Sequence, residues 1–204
     1  YSEVWFGDQS FALYYWNTIK VTLLTVLTSV TVSCLAAYGF AKVHFRGKNL
    51  MFFIVLSTYM IPPQSILVPQ LILYRQLELF DTHLGLILLN SFSVLGTFLL
   101  RQFFMGVHDE FLEAARIDGA GHFRIFSRIV LPMVRPAIAT YAILRFIWTW
   151  NDYQNPLIFL KTNELFTLQL GLTKFADAYG QYTSLVMAGA VSGILPLLII
   201  FVLG

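Results

Sequence analysis

Charge is scarce in this sequence. Asp, Glu, Lys and Arg make up 12% of 204 residues, about half of the roughly 25% usual in a soluble domain. Its 13 basic and 11 acidic side chains nearly cancel, so no field of one sign is present to hold a nucleic acid. The single cysteine, Cys34, excludes an intrachain disulfide and a cysteine metal cluster; it is expected to pack inside an apolar run. No G-x-x-x-x-G-K-S/T stretch occurs, so the chain has no phosphate cradle of that kind and any ATP energy must come from another subunit. His44, His83, His108 and His122 show no i, i+4 pair and are assigned to loops. No nucleophile with a base and no acid pair lies deep in an apolar run, so no catalytic, metal or cofactor residue is expected.

What the sequence has in quantity is apolar surface: 57% of residues are hydrophobic and 16% aromatic, with a mean hydropathy of +0.70. About 20 apolar residues cross the hydrocarbon core as a helix. Five runs approach that length: 21–41, 49–74, a shorter one at 84–100 bracketed by Thr82 and Arg101, 136–160 interrupted by Arg145 and Asp152, and 178–204. The expected fold is all-α, a polytopic transmembrane helical bundle forming one permease domain over 1–204. The segment before residue 17 carries Glu3 and Asp8 and no basic region, so it does not read as a signal peptide. A start at Tyr1 and an apolar end at Gly204 read as a fragment of a longer chain, with a sixth span at the N-terminus and a C-terminal tail expected outside it.

Basic residues favour the cytoplasmic side. Lys42, Arg46 and Lys48 after the first run, and Arg101, Arg116, Arg124, Arg128 and Arg135 between the third and fourth, share one side. Lys20, Arg75, Lys161 and Lys174 fall on the other, interleaved with Glu3, Asp8, Glu78, Asp81, Glu164 and Asp177. The stretch 102–135 is therefore expected to be cytoplasmic.

Three stretches carry candidate functional residues. In the second run Pro62, Pro63 and Pro69 force a kink or break, because proline lacks a backbone donor and clashes one turn back. The break either packs or lines a solute path, with Gln64 and Gln70 as its polar side chains. In the fourth run Arg145 and Asp152 share a helical face seven residues apart, and Trp148, Trp150, Asn151, Tyr153 and Asn155 surround them. Arg145 binds a neighbouring helix's carbonyls, pairs with a partner, or lines the path. The aromatic and amide group suits either a sugar or the membrane interface.

The third stretch, 107–135, is polar and helical in pattern. Asp109 can cap a helix, Glu110 and Glu113 place negative charge in its first turns, and Gly119 can close it in a left-handed conformation. Phe111, Leu112 and Ala115 lie on one side by helical spacing. Gly119 and Gly121 allow a change of direction before the basic stretch 123–128, and Pro132 suits the first turn of the next helix. Such a helix-turn-helix is a surface for a partner; an ion pair of Glu113 with Arg116 is the plainer reading of its charges.

Glu113-Ala114-Ala115, three residues, Gly119, nine residues, Ile129, one residue and Leu131-Pro132 resemble in full the EAA loop of ABC importer permeases, here 107–132. The run 61–69, Trp150-Asn151-Asp152 with 156–160, 168–171 and 188–190 resemble the carbohydrate, maltose-type (MalG-like) branch of that family. The resemblance implies a sugar or oligosaccharide permease in a bacterial cytoplasmic (inner) membrane, working with a second permease subunit, a dimer of ATPase subunits that bind ATP and Mg, and an external binding protein. It implies that Glu113, Ala114, Ala115, Gly119, Ile129, Leu131 and Pro132 dock on the ATPase, Glu113 facing a basic group. Gln64, Gln70, Arg145, Trp150, Asn151 and Asp152 are the candidate path residues. A glycerol-phosphate or polyol solute is an alternative, as is a secondary transporter driven by an ion gradient; the latter calls for mid-span acid pairs and inverted repeats, which are not evident.

Overall fold

The structure, a computed structural model, describes residues 11–178 and 183–203, the side chains of 174–185 and 203 excepted. Glu3, Asp8 and the side chains of Lys174 and Asp177, counted above for orientation, lie outside the described residues. Every element described is a helix. They are α1 (Phe11–Lys42), α2 (Lys48–Thr58), α3 (Pro63–Gln76), α4 (His83–Leu89), α5 (Val94–Met105), α6 (Asp109–Ile117), α7 (His122–Met133), α8 (Arg135–Trp150), α9 (Gln154–Phe159), α10 (Leu168–Ala178) and α11 (Thr183–Leu203), with a 3-10 turn at Asn163–Leu165 between α9 and α10.

Among the described residues α1 is the one unbroken helix long and apolar enough to cross a membrane, and three broken pairs, α2 with α3, α4 with α5, and α7 with α8, pass when each is taken as one span. At 1.5 Å per residue the 32 residues of α1 span about 48 Å. Its start lies ten residues before the expected run at Val21 because polar Asn17 and Thr18 are buried and bonded rather than solvated. Asn17 donates its amide to the carbonyls of Glu164 (2.8 Å) and Phe166 (3.1 Å). The Thr18 hydroxyl donates to Tyr14 O and accepts from Leu168 N, at 2.9 and 2.7 Å, fixing the start of α10.

The second run breaks at 59–62, immediately before Pro63 opens α3, while Pro69 is carried inside that helix. The third run is two helices rather than one: Thr82 caps α4 by accepting from Gly85 N (2.9 Å), and Ser93 caps α5 by accepting from Gly96 N (3.0 Å). Arg101 does not bracket that run. It lies inside α5, donating Nε–H to Phe40 O (3.2 Å) with its guanidinium 4.1 Å above the Phe52 ring. The fourth run ends as a helix at Trp150, and residues 154–159 form the separate α9.

The chain divides into two compact units, 1–27 with 66–91 and 143–204, and 28–65 with 92–142. The first unit packs around Phe11, Tyr14, Leu86, Phe146, Trp150, Phe159 and Leu168. A surface clamp closes it: the Asp81 carboxylate accepts from the amides of Lys161 (2.7 Å) and Thr162 (2.9 Å) and from the Thr162 hydroxyl (2.5 Å). His83 opens α4 rather than sitting in a loop, its imidazole Nε2 2.8 Å from Leu165 O. The second unit packs Cys34, Tyr38, Leu100, Phe104, Leu112, Phe126, Val130 and Tyr141 together. There α1 meets α8 through hydroxyls, Ser29 and Ser33 lying 2.9 and 3.3 Å from Tyr141 Oη. Gly96 permits this, since a Cβ there would lie 2.2 Å from the Tyr141 ring.

Candidate functional site

The segment 109–132 folds as the two helices α6 and α7 joined by a glycine turn. Gly119 has φ +77 and a Cβ on it would meet nothing within 4 Å. Its N–H donates to Arg116 O (3.0 Å), and the next one, Ala120 N–H, to Ala115 O (2.9 Å). This paired closure of a helix end requires a left-handed residue at 119, which glycine adopts without steric cost. His122 opens α7 rather than lying in a loop, and His108 sits at the N-cap position of α6.

The faces of α6 are divided. Leu112 (2% exposed) and Ala115 are buried in the core of the second unit. Phe111, expected beside them, faces outward: it is the residue next to Leu112, and that single step turns it about 100° around the axis. Glu113, Ala114 and Gly119 are exposed, Ile117 is 87% exposed, and beyond the turn Phe123 is 77% exposed. Glu113 makes no ion pair with Arg116 or any other described residue. Of the seven docking candidates, Ala115 thus faces inward, where its small side chain lets α6 approach its own core. Ile129, Leu131 and Pro132 are half-buried, the first two against that same core.

Pro132 has a visible local consequence. It stands within α7, and the turn Phe126–Val130 just before it is widened, Leu131 N–H bonding back five residues to Phe126 O. A proline cannot donate and crowds the preceding turn, and a π-bulge relieves both conflicts.

Asp109 does not cap α6 as expected; it is the first helical residue, and no side chain caps from His108. Its carboxylate instead takes the ammonium of Lys42 at 2.7 Å, the one salt bridge among the described residues. Lys42, counted in the sequence as a loop charge, ends α1 with its side chain only 5% exposed, and it also donates to Val107 O at 2.5 Å. The Lys42 hydrogen bond, and then its charge, hold the Asp109 carboxyl below the usual range; slight desolvation works the other way, and His44 and Arg116 add to the lowering.

Of the candidate path residues, Gln70, Arg145, Trp150, Asn151 and Asp152 belong to the first unit and Gln64 to the second. Gln64 is exposed and Gln70 half-buried on α3. Arg145 is half-buried and donates from one guanidinium nitrogen to the backbone carbonyl of Asn90, and to its side-chain oxygen at 3.1 Å. Asn90 ends α4, so the arginine serves a helix C-terminus, where cations are favoured. Trp150 offers no face to a solute. It is 1% exposed, donates Nε1–H to Gly193 O (2.9 Å), and lies between Phe146, stacked at 5.5 Å, and Tyr15, edge-on at 5.6 Å. Asp152 is taken up by α9, accepting from Asn155 N (3.1 Å) and Nδ2 (2.8 Å). Asn151 is exposed, its amide donating to Ile147 O (2.8 Å). No group of His, Cys, Asp and Glu among the described residues could hold a metal ion.

The model of the family "Binding-protein-dependent transport system inner membrane component" matches residues 29–204. The arabinooligosaccharides transport system permease protein AraQ of Halalkalibacterium halodurans is 33% identical over 97% of this chain and 68% of its own length. The sn-glycerol-3-phosphate transport system permease protein UgpE of Yersinia enterocolitica is 34% identical over 96% of this chain and 72% of its own. A crystal structure of a bacterial ABC transporter involved in the import of the acidic polysaccharide alginate superposes with a TM-score of 0.88 at 28% identity, covering 96% of this chain and 74% of that one. These matches do not favour an ion-gradient-driven secondary transporter. They are to transport permeases rather than enzymes, and the chain belongs to the binding-protein-dependent transport system inner membrane component family, the membrane permeases of ABC importers.

Proposed function

We propose that this permease carries an oligosaccharide inward across the cytoplasmic membrane, and that its α6–α7 loop is the surface on which a separate ATPase subunit seats. One observation carries the docking reading. Leu112 and Ala115 anchor α6 inward, while Glu113, Ala114, Ile117 and Phe123 face out around the left-handed turn at Gly119. Large apolar side chains left this exposed on a polar segment outside the spans mark a surface for a partner, and Glu113, without an ion pair among the described residues, is free to meet a basic group there. The sequence spacing of the EAA loop supports the same surface. A second permease subunit completes the path and an external binding protein delivers the solute. The orientation follows the basic bias, with Lys48 and Arg124 cytoplasmic and Glu78 external.

The oligosaccharide reading draws on the arabinooligosaccharide and alginate relatives. The sn-glycerol-3-phosphate permease, at 34% identity, favours a second reading, a small phosphorylated polyol. The full complex, reconstituted with its binding protein, decides between them. Uptake of labelled arabinotriose competed by unlabelled arabinotriose, but not by sn-glycerol-3-phosphate, supports the first; the reverse supports the second. For docking, Glu113→Lys is expected to strip the ATPase subunit from the purified complex. Recovery of that subunit at wild-type yield removes the loop as its seat.

A further inference from the structure

We infer that Lys42 is a positioning residue that fastens α6 to α1, so that a displacement of α6 by the ATPase moves the first span instead of being absorbed at the corner between α5 and α6. This rests on the docking reading of the loop. The geometry is that of a latch. Lys42 is the last residue of α1, and its ammonium reaches Val107 O, on the connection before α6, and Asp109 Oδ1, the first residue of α6, at 2.5 and 2.7 Å. It thereby joins elements 65 and 67 residues apart in the chain.

Two further features give the latch its role. Burying an ammonium is costly unless charge and hydrogen bonds answer it; a lysine 5% exposed therefore holds to its partners, since moving away from them strands the charge. At this corner Arg101 of α5 also donates to Phe40 O of α1 (3.2 Å), but the contacts around α6 itself, Tyr38 with Phe126 and Phe104, and Leu112 and Ala115 in the same core, are apolar and without direction. They resist separation but permit sliding. Among the described residues the ammonium, bonded to a carbonyl and a carboxylate at once, is the polar side-chain tie from α1 to α6, and it fixes their register. The stretch of α1 leading to it, 28–42, contains no proline and continues the same unbroken helix, so it moves as a rod.

The test uses the full complex in lipid nanodiscs, with Cys34→Ser removing the native thiol. Spin labels are attached to Leu35→Cys, on an exposed position of α1, and Glu110→Cys, on an exposed position of α6. With Lys42 present, the label distance measured by pulsed EPR is expected to be the same with and without ATP. In Lys42→Met, with the ATPase still bound, ATP is expected to reduce the population at that distance by about tenfold, and Lys42→Arg to restore it. A distance that shifts equally in the wild-type complex, or that stays fixed in Lys42→Met, overturns the inference. If Lys42→Met does not assemble, Asp109→Asn, which alters an exposed carboxylate, is read in its place against the same two outcomes. Loss of the ATPase from Lys42→Met, as expected for Glu113→Lys, makes Lys42 part of the seat and overturns the latch. Retention of the ATPase by Glu113→Lys instead removes the docking reading.

Discussion

Residues 109–132 and 145–155 both set polar and charged side chains beside apolar runs, and the structure uses them in opposite ways. In 145–155 the conspicuous groups are satisfied internally: Arg145 by Asn90, Trp150 by Gly193 O, Asp152 by Asn155. In 109–132 Glu113 has no ion-pair partner among the described residues, and Ile117 and Phe123 stand almost free of the chain. A polar group in an apolar run must find a partner, and the nearest one is usually in the same chain. A group left unsatisfied on the surface is free to meet another subunit. The difference predicts that changes to the outward side chains and the turn of 109–132 disturb assembly without loss of fold, while changes to the bonded groups of 145–155 disturb the fold first.

The strongest break of this comparison comes at the glycine turn. Gly119→Val places a β-branched residue at φ +77, where the cost is conformational because a Cβ finds open space. About 1–2 kcal/mol of strain is expected, enough to displace the turn while the spans stay folded. Uptake should be abolished and the ATPase should not co-purify, while the melting temperature in detergent changes little. A large drop in melting temperature with the ATPase still bound would place 109–132 in the same class as 145–155.

Trp150→Ala tests the opposite side. It empties a fully buried indole site and orphans the carbonyl of Gly193, for an expected loss of about 3–5 kcal/mol. Uptake should fall only in proportion to the folded protein recovered from size-exclusion chromatography. A well-folded Trp150→Ala with altered solute selectivity would return this residue to the path.

The sequence made one segment more legible than the other for a physical reason. The breaks at Pro62 and Pro63 and the left-handed turn at Gly119 depend on the backbone chemistry of single residues, so both were readable locally. The outward Glu113 was not, since its local pattern pointed to an ion pair with Arg116 that does not form, and its docking reading came from the resemblance to the EAA loop. The partners of Lys42, Arg145 and Trp150 lie 43 to 67 residues away, and no local pattern names them. Asp152 is the intermediate case: its partner Asn155 is three residues on, and an Asp three positions ahead of a polar residue is a signature of a helix start. Leu112 and Ala115 do share a buried face, whereas Phe111 was misplaced because it is Leu112's neighbour, about 100° around the axis. Spacing does not say which face turns inward, so Ala115 could be read for docking as well as for the core.

Arg145→Leu sharpens the comparison with a smaller effect. Removing the guanidinium leaves the Asn90 carbonyl at the end of α4 without that donor, an expected loss of about 1–3 kcal/mol. Differential scanning fluorimetry of the purified complex should show a lower melting temperature, with assembly of the ATPase unchanged. If Arg145→Leu is as stable as the parent, the arginine is not holding α4 and its role lies with a partner or the path.

The smallest effect is the most specific in sign, because it separates the carboxylate of Asp109 from the backbone around it. Lys42 depresses the Asp109 pKa in the folded protein, so the folded state binds its proton less readily than the unfolded chain, whose Asp titrates near about 3.9. The stabilisation is therefore complete above that unfolded value and is lost as pH falls through the lower folded one. The side chain is 68% exposed, which screens the charge and keeps the contribution modest. Melting temperatures of the parent protein and Asp109→Asn, measured in detergent from neutral pH downward, should differ by a small constant amount until the pH nears 4, then converge. The pH-dependent part belongs to the carboxylate and whatever offset persists in acid belongs to packing. A gap that widens as pH falls would mean that Lys42 is held by Val107 O alone and that Asp109 opposes the latch.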